Sequence, residues 1–403
     1  MFFYFLFLYI ASLFNAKARL LVRGQRATIT AIRKGERDFA ALHGCVWFHA
    51  ASVGEFEQAR PLIERLKREK PQRKIVVTFF SPSGYEMRKS YSLADGVFYL
   101  PFATRRNARI FVSALKPSAA IFVKYEYWKA YMSELKMQDI PIYIIDAIYR
   151  PEQLFFRWWG KWYLNYLKYF TTLFVQDARS KQLLEQHNIT NVVVAGDTRF
   201  DRVLEICKNP KTIEPVTWFI NADSAQKVIV AGSTWMPDEK LLYRYMCTHE
   251  NVKLVLVPHE LTTEHLNGIF NLFEGRFMRY SEATEQNMHF CRVLLIDTVG
   301  LLSSLYRYAA VGYVGGGFGD GIHNTIEAAT FGIPVLFGPN HNKFREAKQM
   351  LDCGAAYTFR SYEQFEKAMD NALQHSEEYG KRAKQYVESE LGATDNILRI
   401  LNI

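Results

Sequence analysis

The sequence lacks the paired cysteines that mark a disulfide framework or a structural zinc site. Its five cysteines are widely scattered, and no two of them form a CxxC pair. They are Cys45, Cys207, Cys247, Cys291 and Cys353. This usage is typical of reduced thiols in a cytosolic environment and excludes a small disulfide-stapled protein.

Long hydrophobic runs are also missing, because the chain has no series of apolar stretches of about 20 residues such as a polytopic membrane protein needs. Its 403 residues are 49% hydrophobic and 23% charged. That composition excludes disorder and, at about 150 residues per domain, favours two or three folded domains. There is no P-loop, GxSxG or DxD motif. We therefore expect neither a serine or cysteine nucleophile nor a metal site.

Basic residues outnumber acidic ones, with 50 Lys and Arg against 41 Asp and Glu and a formal net charge of +9. Such an excess favours anionic partners. Charge alone leaves three kinds of partner open: nucleic acid, an acidic membrane face or a phosphorylated substrate.

The N-terminal segment from Met1 to Ala16 carries no charge, and basic residues follow it from Lys17 to Lys34. A helix of 14 to 16 residues would be about 21 to 24 Å long, short of the ~30 Å hydrocarbon core. A secretory signal would carry its positive charge first. We expect residues 1–30 to form a shallow or tilted membrane anchor with a basic flank on the cytoplasmic side. A buried core helix is the alternative.

From Cys45 onward, short apolar runs alternate with amphipathic stretches, which predicts βαβ units and parallel sheets. A fresh series of strands follows the proline-containing segment near residue 210, so we predict an N-terminal domain over 31–210 and a C-terminal domain over 211–403. Two doubly wound α/β halves facing a cleft would bind ligands at the strand carboxyl ends. The predicted strands are Val46–Ala50, Lys74–Phe80, Ala119–Val123, Ile142–Ile145, Leu173–Val175 and Val192–Ala195, then Val228–Ala231, Lys253–Val257, Val293–Ile296, Val311–Val314 and Pro334–Phe337.

An aromatic segment, Phe155 to Tyr169, holds three tryptophans. We interpret it as an amphipathic helix that buries a core or interdomain face.

Glycines are most concentrated between Tyr313 and Asn340, where a predicted strand leads into a glycine-rich turn. Glycines let a backbone approach a ligand closely, and a following helix would offer N–H groups to a phosphate. Asn324 and Glu327 stand one helical turn apart, so both can face one ligand, and the carboxylate can hold ribose hydroxyls. As an isolated motif, the loop is equally typical of an ordinary βα turn.

Two further strand ends in this half have phosphate-compatible chemistry: the turn Gly232, Ser233 and Thr234, and the histidine His259. Each is commonly an ordinary turn or a satisfied polar residue when it stands alone. His259 as a donor would neutralise a leaving phosphate. Together the three strand ends favour nucleotide binding.

In the first half, Trp47 to Leu66 reads as strand, small-residue turn and helix, with Glu55 at the helix start. A first-turn carboxylate is often only a partner of the helix dipole. Placed at a glycine turn, it is also suited to take a proton from an acceptor hydroxyl. Glu126, at another strand end, is a second candidate carboxylate.

These segments together resemble the Kdo transferases, which move 3-deoxy-D-manno-oct-2-ulosonic acid (Kdo) from CMP-Kdo to the lipid A precursor. The resemblance runs from the N-terminal segment to about residue 350. It is carried by HAASVGE at 49–55, VTFFSPSGYE at 77–86, YLPF at 99–102, VKYEYW at 123–128, GDTRFDRV at 196–203, AGST at 231–234, DTVG at 297–300 with a following tyrosine, and the glycine-rich segment at 315–339.

The resemblance implies a GT-B fold of two Rossmann-like domains, with the acceptor lipid on the N-terminal one and CMP-Kdo on the C-terminal one. It implies an inverting enzyme of lipopolysaccharide synthesis at the cytoplasmic face of the inner membrane, with no cofactor, no required metal and no nucleic-acid partner. Glu55 looks like the family's general base. We place Ser52, Gly54 and Glu126 on the acceptor side. Donor-side residues are Gly232, Ser233, Thr234, His259, Gly316, Gly317, Asn324 and Glu327.

The chain departs from the family pattern in two places. Leu301 stands where the family's DTxGEL carries its acidic residue, and PHELTTEH at 258–265 replaces a PRHPER-like stretch. Both departures concern donor contacts. Two alternatives stay open: another nucleotide-sugar transferase or epimerase of the same fold, and a catalytically silent membrane-bound protein that binds a nucleotide sugar.

Overall fold

The structure is a computed structural model that describes residues 2–208, 212–223, 226–288, 291–401 and 403. Two compact units are present, one of Met1–Arg202 with Leu391–Ile403 and one of Val203–Glu390. The predicted domain boundary near residue 210 lies outside the described residues. Residues 391–403, which the sequence analysis assigned to the second domain, belong to the first unit.

The first unit is built on a seven-stranded parallel sheet in the order β3-β2-β1-β4-β5-β6-β7. Its central strands are buried on both faces, as expected for valine-, isoleucine- and phenylalanine-rich runs covered by helices on two sides. The strands are β1 (Val46–Ala50), β2 (Ile75–Phe79), β3 (Gly96–Tyr99), β4 (Ala119–Val123), β5 (Ile142–Ala147), β6 (Thr172–Val175) and β7 (Val192–Val194).

Helices connect these strands in the right order for βαβ units. They are α1 (Phe2–Phe14), α2 (Ala16–Lys34), α3 (Val53–Glu69), α4 (Pro82–Arg88), α5 (Arg105–Leu115), α6 (Lys129–Met137), α7 (Lys161–Leu167), α8 (Ala178–Glu185) and α9 (Thr198–Lys208).

The two N-terminal helices differ in how they join the unit. Helix α2 packs closely on β3, because Gly24 faces the ring of Tyr99 with no room for a side chain and Thr28 donates to the Tyr99 carbonyl at 3.0 Å. Helix α1 contacts the unit through Tyr9, whose ring stacks on Phe102 with 5.8 Å between centroids. Among the described residues, none of the helices combines the length and hydropathy needed to cross a membrane.

The second unit repeats the design with a parallel sheet in the order β10-β11-β9-β8-β12-β13-β14. Its strands are β8 (Lys227–Thr234), β9 (Val252–Pro258), β10 (Met278–Arg279), β11 (Val293–Leu295), β12 (Val311–Val314), β13 (Val335–Phe337) and β14 (Ala356–Thr358). Its helices are α10 (Glu214–Asn221), α11 (Met236–Thr248), α12 (Thr263–Leu272), α13 (Glu285–Met288), α14 (Leu302–Leu305), α15 (Ile326–Thr330), α16 (Arg345–Asp352), α17 (Tyr362–Gln374) and α18 (Ser376–Ser389).

The chain ends in α19 (Ala393–Leu401), which packs in the first unit. Ile397 and Leu401 are buried in the core below α3. The Asp201 carboxylate accepts from the backbone N–H of Gly392 at 2.9 Å and of Thr394 at 2.7 Å, and so fixes the start of the helix.

All the predicted strands are present, with ends shifted by a few residues at most, and the predicted α/β class with two parallel sheets is confirmed. The predicted helix over Phe155 to Tyr169 was partly wrong. A short 3-10 turn, Leu154–Phe156, and a tight loop precede α7, which begins only after Gly160.

Both sheets place their functional loops in the same way. In each sheet the first strand along the chain, β1 or β8, is central, the next strands lie on one side of it, and the chain then crosses to the other side at β4 or β12. The carboxyl ends of the two strands flanking such a switch point open a crevice, where ligands of doubly wound sheets bind.

Candidate functional site

The switch point of the first unit is flanked by the two candidate carboxylates. Glu55 lies in the first turn of α3, directly after β1, and Glu126 lies in the loop after β4. Since β1 and β4 are neighbouring parallel strands, their carboxyl ends bring the two side chains to one edge of the sheet. The structure therefore brings together two carboxylates that the sequence singled out separately.

Glu55 is held by a capping box at the start of α3. Its Oε2 atom accepts from the backbone N–H of Ala51 at 2.6 Å and of Ser52 at 3.1 Å, while the Ser52 hydroxyl accepts from the Glu55 N–H at 3.4 Å. Burial raises the pKa of Glu55, and the nearby Glu126 carboxylate raises it further. The result is an oriented carboxylate that is more basic than an exposed one.

Ser52 and Gly54 form the turn that presents Glu55. Ser52 is the N-cap of α3, and its backbone as well as its hydroxyl takes part in the capping box. Gly54 is exposed in the first turn, where a Cβ would meet only the Ser52 hydroxyl at 4.0 Å.

Glu126 is fixed by partners that sequence reasoning did not identify. Its Oε2 atom is 3.0 Å from Nε2 of His49 and accepts from Nε1 of Trp128 at 2.5 Å. His49 is fully buried in β1, and its Nδ1 lies 2.9 Å from the hydroxyl of Thr78. A histidine two residues before the small-residue turn, on the strand that ends there, was the available signal.

A second group of acidic residues at this edge was also missed. Asp146, at the end of β5, is buried and accepts from the backbone N–H of Thr198 at 2.9 Å and from its hydroxyl at 2.6 Å. Burial and the neighbouring Asp197 raise the pKa of Asp146 to about 7. Asp197 is itself paired with Arg199 at 2.6 Å. These contacts join the GDTR segment to β5 and stabilise the edge that carries Glu55.

In the second unit, the glycines of the predicted phosphate loops are required by packing. A Cβ on Gly232 would lie 2.3 Å from the Tyr306 hydroxyl, and one on Gly317 would lie 2.6 Å from the backbone of Gly338. Gly316 has φ +89° and donates its N–H to Asp238 at 3.0 Å. These glycines therefore bring the loops after β8, β12 and β13 together at one edge.

Ser233 and Thr234 differ in their availability to a ligand. The Thr234 hydroxyl is buried and donates to Glu239 at 2.9 Å, so a direct phosphate contact would require that bond to break. Ser233 is partly exposed and has φ +54°, a conformation that a serine adopts only when the surroundings impose it. Of the two, Ser233 is the better placed to meet a ligand.

His259 is part of an aromatic stack that the sequence did not reveal. Its ring lies 4.2 Å from that of His323 and 4.9 Å from that of Trp235, measured between centroids. Trp235 donates from Nε1 to Nε2 of His323 at 3.3 Å. Burial and the adjacent His259 lower the pKa of His323, which therefore stays neutral at neutral pH. The stack joins the ends of β8, β9 and β12.

Asn324 and Glu327 are in contact, although α15 begins only at Ile326 and Asn324 lies before it. Asn324 donates from Nδ2 to Oε1 of Glu327 at 2.9 Å, and its Oδ1 accepts from the N–H of Ile326 at 3.1 Å. The other carboxylate oxygen of Glu327 accepts from the Ser303 hydroxyl at 2.8 Å. Ser303 is a further residue that the sequence did not reveal, because α14 lies outside the glycine-rich segment. Glu327 is therefore held in a fixed orientation beside the switch point of the second unit.

Sequence comparison relates the chain to one group of enzymes. Residues 23–202 match the family model described as 3-deoxy-D-manno-octulosonic-acid transferase (kdotransferase). The transferase of Aquifex aeolicus is 27% identical over 77% of this chain and 80% of its own length. That of Haemophilus influenzae is 25% identical over 88% of this chain and 86% of its own length.

Solved structures share the architecture at low sequence identity. UDP-GlcNAc 2-epimerase from Neisseria meningitidis superposes with a TM-score of 0.64 and 16% identity, covering 89% of this chain and 99% of the epimerase. MurG from Acinetobacter baumannii gives a TM-score of 0.54 at 12% identity, covering 89% and 99%. At such identities the likeness establishes a GT-B-like fold and no more.

Proposed function

We propose that the chain, which is similar to the 3-deoxy-D-manno-octulosonic acid transferases, transfers Kdo from CMP-Kdo to a hydroxyl of the lipid A precursor with inversion of configuration. The observation that carries this proposal is Glu55, an oriented carboxylate of raised pKa at the switch point of the first unit.

In the proposed step, Glu55 accepts the proton of the acceptor hydroxyl. Both backbone hydrogen bonds fall on Oε2, so Oε1 receives that proton. The acceptor oxygen forms a bond to the anomeric carbon of Kdo as the bond from that carbon to the CMP phosphate breaks. CMP leaves with the electron pair. Glu126, held by His49 and Trp128, keeps Glu55 basic through its negative charge.

The second unit is the proposed donor site. Glu327, oriented by Asn324 and Ser303, would accept the two ribose hydroxyls of CMP. His259, exposed at the end of β9, would stabilise the leaving phosphate. Ser233 would contact the phosphate of the same nucleotide. Leu301 and the histidine-containing segment 258–265 remain the places where donor contacts of this chain differ from the family pattern.

We further propose that the protein works at the cytoplasmic face of the inner membrane. Helix α1 supports this, since Leu13 and Phe14 are 67% and 85% exposed, and the following helix carries the basic residues Arg19 and Arg23. Apolar side chains beside cations fit an anionic leaflet. The lipid acceptor would be reached from that surface.

Mass spectrometry of a tetraacyl lipid A precursor, incubated with the purified protein and CMP-Kdo generated in situ, tests the proposal. We expect a mass increase of one or more Kdo units. The same increase is expected when a chelator is present, because no step of the proposed reaction uses a metal. A folded protein that binds CMP but leaves the lipid unchanged would contradict the proposed acceptor.

A further inference from the structure

Three of the seven tryptophans of the chain lie within five residues of one another on the surface of the first unit. Trp158, Trp159 and Trp162 are 81%, 52% and 54% exposed. The expectation that this segment buries a core face was therefore wrong for its tryptophans. A cluster of exposed tryptophans such as this one marks an interaction surface.

The loop that carries the tryptophans is held in shape by its own backbone hydrogen bonds and packing. Its backbone closes on itself, with Arg157 N–H donating to the Leu154 carbonyl at 3.2 Å and Gly160 N–H to the Arg157 carbonyl at 2.9 Å. Gly160 lies so close to Leu154 that a Cβ would meet the Leu154 carbonyl oxygen at 1.8 Å. The tryptophans are thus presented by a fixed turn.

The inner side of the same loop is anchored in the core. Phe155 is 8% exposed and packs edge-on against Tyr127, with 4.9 Å between ring centroids. Tyr127 also donates to the hydroxyl of Tyr149 at 2.8 Å. Because Tyr127 follows Glu126 directly, the tryptophan loop packs against the loop that carries a candidate carboxylate.

Basic residues flank the tryptophans in the sequence. Arg150, Arg157, Lys161 and Lys168 lie within residues 150–168, against the single acidic residue Glu152. The guanidinium of Arg157 sits 5.9 Å above the ring of Trp159. Tryptophan rings favour the boundary between headgroups and acyl chains, and basic residues beside them favour anionic headgroups. The combination fits a lipid surface better than a protein core.

We propose that the tryptophan loop, defined as residues 154–162, docks on an anionic lipid bilayer by inserting Trp158, Trp159 and Trp162 at the headgroup boundary. This is a second lipid contact, separate from α1. The purpose of this contact rests on the proposed function, because docking would bring the sheet edge that carries Glu126 to the surface where a lipid acceptor lies. Lipid binding itself is independent of catalysis.

The test is co-sedimentation of the full-length protein with vesicles of phosphatidylcholine alone and of phosphatidylcholine mixed with phosphatidylglycerol. The variant replaces Trp158, Trp159 and Trp162 by serine, at sites where the native side chains are exposed. We expect apparent affinity for the anionic vesicles to fall about tenfold. In the native protein, lipids brominated near the headgroup should quench tryptophan fluorescence, and the variant should lose most of that quenching.

Two matched controls separate the loop from general effects. Phe270→Ser removes another half-exposed aromatic side chain, in the second unit, and should leave vesicle binding unchanged. Replacing the three tryptophans by tyrosine restores amphipathic rings and should recover most of the binding. All variants retain α1, so a difference between them belongs to the loop.

Vesicle binding by the serine variant equal to that of the native protein would overturn the proposal. So would sedimentation velocity showing that the tryptophans hold two copies of the chain together while vesicle binding is unchanged. Kdo transfer to a detergent-dispersed acceptor is measured in parallel with the native protein. Failure there would count against the proposed function alone and leave the vesicle result standing.

Discussion

The environment of each carboxylate, more than its position in the sequence, determines what it can do. Glu55 lies in the turn after β1 and Asp146 at the end of β5, at the same sheet edge, and burial raises the pKa of both. Glu55 is bonded by backbone N–H groups on one oxygen only and stays partly exposed. Asp146 has both oxygens engaged by Thr198 and is buried. The first is suited to proton transfer and the second to holding the fold.

Asp146 should make stability fall as pH rises. Its folded pKa, near 7, exceeds the unfolded value of about 3.9, so the folded state binds the extra proton between these values. The free energy of unfolding should therefore decrease across that window, by about 1.4 kcal/mol per pH unit. Asp146→Asn cannot titrate and should flatten this slope. Denaturant unfolding at pH 5, 6, 7 and 8 measures the effect.

The control for that experiment is Asp352→Asn, which alters an exposed aspartate at the end of α16. It should reproduce the slope of the native protein. An unchanged slope in Asp146→Asn would show that Asp146 carries no extra proton in the folded state.

At the scale of elements, the alternation of apolar and amphipathic stretches predicted the central strands, because strands buried on both faces are nearly continuous apolar runs. The strands it missed, β3, β10 and β14, lie at or near sheet edges and are only two to four residues long. Such strands carry too little pattern to be recognised from sequence.

Side-chain partners were harder to predict than elements. The carboxylates Glu55 and Glu126 could be chosen from sequence because each follows a predicted strand, whereas the strand order that brings them to one edge is seen only in the structure. The partners that hold the candidate carboxylates were not found in this way, since His49 contacts Glu126 from within β1 and Ser303 contacts Glu327 from α14. The tryptophan loop was misread because Gly160 stops the helical pattern, which hydrophobic periodicity alone does not show.

The docking of α19 should depend on Asp201. Its carboxylate accepts the N–H groups of Gly392 and Thr394, as an N-cap does. Asp201→Ala should cost about 1 to 2 kcal/mol and loosen the helix locally. Hydrogen exchange measured by mass spectrometry should show faster exchange in residues 391–401, with little change in the second unit.

Asp395→Ala is the matched control for α19. This residue lies in the same helix, its side chain is 68% exposed, and its contact is a 3.5 Å ion pair with Arg65. Exchange in 391–401 should stay close to that of the native protein. Equal exchange in Asp201→Ala and the native chain would show that the helix is held by its apolar face alone.

At the scale of the whole molecule, two units of the same design carry different chemistry at equivalent places. The first unit gathers carboxylates at its switch point, and the second gathers glycine turns, histidines and a ribose-compatible carboxylate. A base for an acceptor and a site for a nucleotide are the two requirements of a transferase that uses a nucleotide sugar. The proposed division between acceptor and donor chemistry would follow from local sequence differences on a repeated architecture.

The central claim is that Glu55 is the base for Kdo transfer, and Glu55→Gln tests it most directly. Glutamine keeps an oxygen for the N–H groups of Ala51 and Ser52 but cannot take the proton. The measurement is kcat for Kdo transfer to the lipid A precursor, alongside CMP affinity, with Glu69→Gln at the exposed end of the same helix as control. We predict a loss of about 10²- to 10⁴-fold in kcat for Glu55→Gln, with CMP affinity unchanged and the control fully active. Turnover at the native rate in Glu55→Gln would contradict the account.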